Sequence, residues 1–332
     1  MNTALTLIII AAILIVIELL YFRIADHFNI IDKPNLRSSH SHITLRGGGI
    51  IFLASIWIYS LFFGLTYPWF MAGMTAICAI SFIDDIHSVP NRIRLLVHFA
   101  AMVLMFQQWN ILTAENWWQI IPALILCTGI INAYNFMDGI NGITGAYSIA
   151  VLVPLMVVNH DLNFIDNQLL WVALIGVLVF CLFNFRKRAR CFAGDVGSVG
   201  IAFVLVFALG ALIIASGQLW YLIFLAVYGV DAILTICHRL MLHENIFEAH
   251  RKHVYQLMAN ELKIPHTVVS TIYLLVQLVV SAGAIWLPIN KWGYFVAVII
   301  LLCCVYVLFK HKYYHLHEEY LKSKESENEC KC

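Results

Sequence analysis

IIPALILCTGIINAYNFMDGING, residues 120–142, begins as a membrane helix and ends as a polar cluster. Residues 120–131 carry no charge, and residues 132–142 then bring three asparagines, one aspartate and two glycines. An uncharged run of this kind is either a buried core segment or a bilayer span, and the rest of the chain decides between them. Of its 332 residues 62% are hydrophobic and 12% charged, with a mean hydropathy of +0.85. Soluble domains carry roughly a quarter charged residues, so a water-soluble fold is excluded. In a bilayer the unit of architecture is a helix of about 20 apolar residues that pairs its own backbone groups. The fold class is therefore all-α, that of a polytopic integral membrane protein.

Apolar runs bounded by polar breaks give about eleven transmembrane helices, over 4–22, 47–66, 67–83, 95–109, 117–134, 142–158, 168–185, 197–216, 219–237, 267–287 and 293–310. No internal repeat is visible. The connections are too short for a separate soluble domain, so residues 1–310 form one membrane domain, and the charged tail 311–332 is read as solvated and disordered. Alternating spans place the loops near 23–46, 84–94, 135–141, 186–196 and 238–266, with the C-terminus, on one side. Of the 20 Lys and Arg all but Lys291 fall there, which makes that side cytoplasmic and the N-terminus external. MNTALTLIII has no basic n-region or cleavage site and reads as a first helix. The nine cysteines form no CxxC pair, so reduced thiols are expected; Cys330 and Cys332 are candidates for acylation. A net charge of +1 says little by itself. The basic, histidine-rich face suits an anionic ligand or lipid headgroups, and no nucleic-acid partner is expected.

Five polar clusters fall on that face. In DKPNLRSSHSHITLRGGGI, 32–50, Arg46 precedes Gly47, Gly48 and Gly49 at a helix start. Such a start brings backbone N–H groups close to a phosphate, or simply allows close packing. FIDDIHSVPNRIRLL, 82–96, ends an apolar helix with Asp84 and Asp85. Adjacent carboxylates raise the apparent pKa of one of them and oppose the helix dipole, so proton transfer competes with a solvated helix end as their role. Asn132, Asn135, Asp138 and Asn141 recur every three residues and share roughly one helical face. Their oxygens suit a hard cation such as Mg²⁺ or the edge of a polar base. In RKRARCFAGDVGSVG, 186–200, Asp195 either caps the following helix or holds a metal. HRLMLHENIFEAHRKHVYQLM, 238–258, offers His250, Arg251 and His253 to a phosphate, or forms a solvated amphipathic helix. Together these are the parts of a phosphoryl-transfer site.

The motifs DKPNLRSSH, RGGG, FIDDI, NAYNFMDGING, FAGDVGSVG and HRKH, in that order over residues 1–310, resemble the polyprenyl-phosphate N-acetylhexosamine-1-phosphate transferases. That family, of glycosyltransferase family 4 type, includes phospho-N-acetylmuramoyl-pentapeptide transferase and the enzymes that start O-antigen, enterobacterial common antigen and teichoic acid synthesis. The resemblance implies transfer of a sugar 1-phosphate from a UDP-sugar to undecaprenyl phosphate at the inner leaflet of the bacterial plasma membrane. UMP is released, and Mg²⁺, or Mn²⁺ in its place, is the cofactor. It implies Asp84 and Asp85 as the catalytic pair, Asn135 and Asp195 as metal ligands, Asn141 near the uracil, and Arg251 and His253 on the diphosphate-sugar. Asp138, Arg46, Gly48 and His250 complete the substrate-binding set, and a homodimer is compatible with this reading.

The last loop departs from the family's patterns. Where members using N-acetylglucosamine phosphate read DRxHxHH, this chain has His250, Tyr255 and Gln256, closer to members that start O-antigen or capsule repeats, some with 6-deoxy sugars. Leu45 replaces a proline before Arg46. The lipid phosphate could attack the β-phosphate directly, or an aspartate could attack first and form a covalent intermediate. Direct attack is favoured, because phosphoryl transfer needs positioning and charge neutralisation more than a protein nucleophile. A transporter or flippase for an anionic solute or lipid-linked sugar is the alternative, suggested by Glu18 and Asp231 within apolar runs.

Overall fold

The structure, a computed structural model, describes residues 3–34, 39, 42–113, 115, 117–245 and 250–329. Within the polar clusters, residues 35–38, 40, 41 and 246–249 lie outside the described residues, as do Cys330 and Cys332. The chain runs α1 (Thr3–His27), α2 (Ile50–Phe63), α3 (Pro68–Ile86), α4 (Asn91–Gln108), α5 (Trp117–Met137), α6 (Ile143–Leu162), α7 (Asn167–Asn184) and α8 (Gly194–Ser216). A 3₁₀ turn, Leu219–Leu225, leads into α9 (Ala226–Met241); the short α10 (Val254–Gln256), α11 (His266–Trp286) and α12 (Lys291–Glu329) follow. Among the described residues nine helices are long and apolar enough to cross a membrane. The protein is an all-α, multi-pass membrane protein.

Each of the eleven apolar runs is matched by a helix, but two differ from expectation. The run 47–66 yields only the 14 residues of α2, about 21 Å at 1.5 Å per residue and short of the roughly 30 Å hydrocarbon layer. The run 95–109 begins earlier, as α4, whose first turns carry Arg92 and Arg94. The tail also differs: α12 continues past 310 to Glu329, and along it Tyr314, His317 and Tyr320 find partners on the 238–261 segment. A second addition is a small antiparallel pair, β1 (Ile31–Asp32) with β2 (Thr44–Leu45), in register Ile31 to Leu45 and Asp32 to Thr44. Leu45 also bridges to Cys191.

The bundle is built around α8, which packs against α2, α3, α5 and α6, with α11 on the far side of α6. In lipid, helices gain from close backbone approach rather than from the hydrophobic effect. The tightest approach is between the start of α2 and the start of α8. A Cβ on Gly49 would lie 2.1 Å from the Gly197 Cα. Deeper in the bundle the fully buried Gln277 of α11 closes a polar joint. Its Oε1 accepts from Tyr147 Oη and Val227 N, and its Nε2 donates to the Ile223 carbonyl and Ser281 Oγ. Tyr228 N donates to Tyr147 Oη. These side chains satisfy the backbone where the 3₁₀ turn gives way to α9.

Candidate active site

The functional side chains gather where α3, α5 and α8 end or begin at one rim of the bundle. Helix α8 starts without a cap of its own, since Ala193 offers no side-chain acceptor. Asp85, reaching across from the end of α3, takes that place: its two oxygens accept from Asp195 N at 2.9 Å and Val196 N at 3.0 Å. Free N–H groups at a helix start attract a carboxylate, and this explains why Asp85 sits at the unfavourable end of its own helix. Its side chain is wholly buried and also pairs with Arg46 Nε at 2.7 Å. Asp84 is equally engaged, accepting from Val89 N at 2.7 Å and Arg94 Nη1 at 2.6 Å. Both expected catalytic carboxylates are therefore committed to holding other groups.

Asp195 is the more open carboxylate, with 22% of its side chain exposed. Arg46 and Arg94 approach its two oxygens at 3.7 Å each, and the Asn135 side chain lies beside it. Asp138, in the turn after α5, accepts from Thr144 Oγ1 at 2.6 Å. Burial pushes its carboxyl up to about 7; the Thr144 hydroxyl opposes this, and the charges of Asp195 and Asp85 add to it. Arg46, Asn135, Asp138 and Asp195 line a cavity of about 290 Å³, together with Gln256 and His266. A second cavity of about 570 Å³ shares Asn141, Phe192 and His266 with the first and adds Lys187 and Arg188.

Other expected site residues also have partners within the fold. Gly48 N donates to the Phe192 carbonyl and Gly49 N to that of Ala193, so these two glycines join the run to the segment before α8. Asn141 lines both cavities, but its Nδ2 is occupied by the carbonyls of Arg186 and Lys187 at 3.0 and 3.2 Å, which makes it a clasp on that loop. His250, Arg251 and His253 do not line either cavity. His253 is buried against Asp231, with Nδ1 3.3 Å from Oδ1, and Arg251 reaches Glu261 at 3.4 Å. Burial and the neighbouring cations press His250 down to about 3, which keeps it uncharged. The reason is geometric: this segment turns its basic side chains toward α9 and α12, and Tyr255 and Gln256, beyond Val254, toward the site.

The intramembrane carboxylates also find a place. Asp231 is held by Thr235, His253, Val254 N and Tyr273. Glu18 lies buried beneath Gly48, with Cys191 Sγ 3.6 Å from its Oε1.

Sequence reading gave no role to Asn184, which lies at the end of α7. Its Oδ1 accepts from Gly142 N at 2.7 Å and its Nδ2 donates to the Cys191 carbonyl at 2.8 Å, tying the starts of α6 and α8 together. Gly142 itself has φ +87°, a conformation that side chains disfavour. Asn184→Ala leaves a buried donor and a buried acceptor unmatched, and is expected to cost about 1–3 kcal/mol. Thermal unfolding in detergent checks this, and a variant that melts with the wild type would show that the clasp carries little.

Residues 67–216 match the family model described as Glycosyl transferase family 4. This span covers α3 to α8, the helices that supply Asp84, Asp85, Asn135 and Asp195. The chain is 25% identical to an undecaprenyl-phosphate alpha-N-acetylglucosaminyl 1-phosphate transferase of Thermotoga maritima, over 83% of this chain and 86% of that one. It is 27% identical to a phospho-N-acetylmuramoyl-pentapeptide-transferase of Thermotoga neapolitana, over 64% and 76%. With a probable undecaprenyl-phosphate N-acetylglucosaminyl 1-phosphate transferase of Bacillus subtilis it shares 24%, over 80% and 82%. These matches bear out the resemblance read from the motifs.

Proposed function

We propose that the protein transfers the sugar 1-phosphate of a UDP-N-acetylhexosamine, N-acetylglucosamine or a 6-deoxy relative, to undecaprenyl phosphate, releasing UMP and starting a cell-surface glycan. The observation that carries this reading is the charge pattern of the rim. Four carboxylates, Asp84, Asp85, Asp138 and Asp195, share two arginines, Arg46 and Arg94. Asp32 lines the same cavity, and carboxylates that outnumber the arginines beside it fit a divalent cation. Among the described residues no three His, Cys, Asp or Glu form a ready ligand set. Asp195 and Asn135 would therefore hold Mg²⁺ with phosphate oxygens and water completing the shell, its usual mode in phosphoryl-transfer enzymes. When bound, Mg²⁺ supplies positive charge to the diphosphate.

A phosphate oxygen of the lipid forms the new bond to the β-phosphorus of the UDP-sugar. The bond from that phosphorus to the bridging oxygen breaks, and UMP leaves with the electron pair. Arg46 and Arg94, held by Asp85 and Asp84, present fixed positive charge beside Asp195. Positioning of this kind is what phosphoryl transfer requires. Asp138, titrating near neutrality, is the group suited to accept a proton from the lipid phosphate. The second cavity, with Lys187 and Arg188 at its wall, gives the nucleotide room. The bias of basic residues supports a cytoplasmic site in the bacterial plasma membrane.

The test is a micelle assay with undecaprenyl phosphate and a panel of UDP-sugars. UMP release is expected with at least one UDP-N-acetylhexosamine, abolished by chelation and restored by Mg²⁺. Release from none of them would reject the reading.

A further inference from the structure

We propose that residues 310–320 of α12 are a positioning element of the site, clamping the 250–261 segment so that Tyr255 and Gln256 hold the turn that carries Asn135 and Asp138. The contacts form one stripe along α12, at positions 310, 314, 317 and 320, the three- and four-residue spacing of a single helical face. Lys310 Nζ donates to the Lys252 carbonyl. The Tyr314 ring lies beneath the ammonium groups of both Lys252 and Lys310, 6.0 and 5.0 Å from its centre. His317 Nδ1 lies 2.9 Å from Glu261 Oε1, with both side chains buried. The Arg251 guanidinium lies over Tyr320 at 4.5 Å and reaches Glu261 as well. One strip of α12 thus meets the segment at 251, 252 and 261, on either side of Tyr255 and Gln256.

The segment is pinned from the other side by Asp231, which accepts from Val254 N at 3.1 Å. Held between α9 and α12, its middle presses on the active-site turn. Tyr255 Oη donates to the Phe136 carbonyl at 3.0 Å. A Cβ on Gly139 would lie 2.2 Å from that hydroxyl and 3.2 Å from Gln256 Nε2. Gln256 Oε1 is engaged by His253 N, which leaves the Nε2 group beside Gly139 at the cavity wall. The conformation of the turn, and with it the placing of Asn135 and Asp138, is set by residues that α12 fixes. Among the described residues no side chain of α12 lines the cavity, so its effect passes through the segment. Buried charge-assisted bonds and cations over aromatic rings are strong enough to matter here.

The activity readout of the test rests on the transferase reading, whereas the proteolysis readout does not. Full-length protein in micelles is compared with His317→Ala, Tyr320→Ala and His317→Asn. Glu319→Gln, on the exposed face of α12, is the control. Trypsin cleavage after Arg251 and Lys252 reports release of the segment, and steady-state transfer reports the site. His317→Ala and Tyr320→Ala are expected to speed cleavage and to lower kcat, each by about tenfold or more, with KM for the lipid acceptor unmoved. His317→Asn keeps an N–H near the Nδ1 position for Glu261 and should restore both, and Glu319→Gln should change neither. Unchanged cleavage, or faster cleavage with unchanged kcat, overturns the proposal. Expected cleavage with no transfer by any form, wild type included, counts against the functional reading and leaves the clamp standing.

Discussion

Asp195→Ala is expected to lower transfer by about 10²–10³-fold or more, the range for losing a principal electrostatic contact to the transition state. The protein should remain folded. Its side chain meets Asn135, its arginine contacts are long, and its removal relieves crowding among four carboxylates. Asp85→Ala should behave differently. It strips a side-chain acceptor from two N–H groups of α8 and leaves Arg46 without its close partner. Breaking a buried ion pair from one side costs about 3–5 kcal/mol, so Asp85→Ala should lose stability together with activity. Measuring UMP release and melting temperature for both variants separates chemistry from scaffolding. Appreciable transfer by folded Asp195→Ala would remove this residue from the centre of the mechanism.

Gly49→Ala should cost about 3 kcal/mol or more and deplete monodisperse protein. The added methyl would meet the Gly197 Cα at 2.1 Å and the Ala193 carbonyl at 2.8 Å. Both are backbone atoms, and neither can rotate away. Helices α2 and α8 would have to separate, carrying Arg46 away from Asp85. Gly129→Ala is the matched control. It lies within α5 with nothing inside 4 Å of the new Cβ, and should be neutral or stabilising by about 0.5–1 kcal/mol. Size-exclusion profiles and thermal unfolding check the pair. Wild-type behaviour of Gly49→Ala would mean that the two helices stand farther apart.

Sequence made the helices legible because each is an apolar run between polar breaks, a signal that lipid enforces residue by residue. It was also enough to bring Asp84, Asp85, Asn135, Asp138 and Asp195 under suspicion, since charge and amide groups stand out in such a chain. It could not say which of them would be used up on neighbours. The capping of α8 by Asp85 depends on a contact across 110 residues, and the choice between Gly48 as a phosphate cradle and Gly48 as packing depends on Phe192. The 250–256 stretch shows the same limit. Its charges read as a binding loop, yet it is Gln256, a polar but uncharged residue, that lines the cavity. The helical continuation of α12 was hidden for a related reason: 311–320 is charged enough to look solvated, and only its partners at 238–261 show that it is packed.

The joint made by Gln277 bears on how the chain is assembled. Val227 N receives its acceptor from a residue synthesised 50 positions later. At about 5–20 residues per second that amounts to seconds during which the first turn of α9 faces lipid without its partner, a state that costs several kcal/mol per unmatched group. Helix α9 must therefore wait near the insertion machinery, or beside Tyr147 of α6, until α11 arrives. This joint of the bundle is completed only by its penultimate helix.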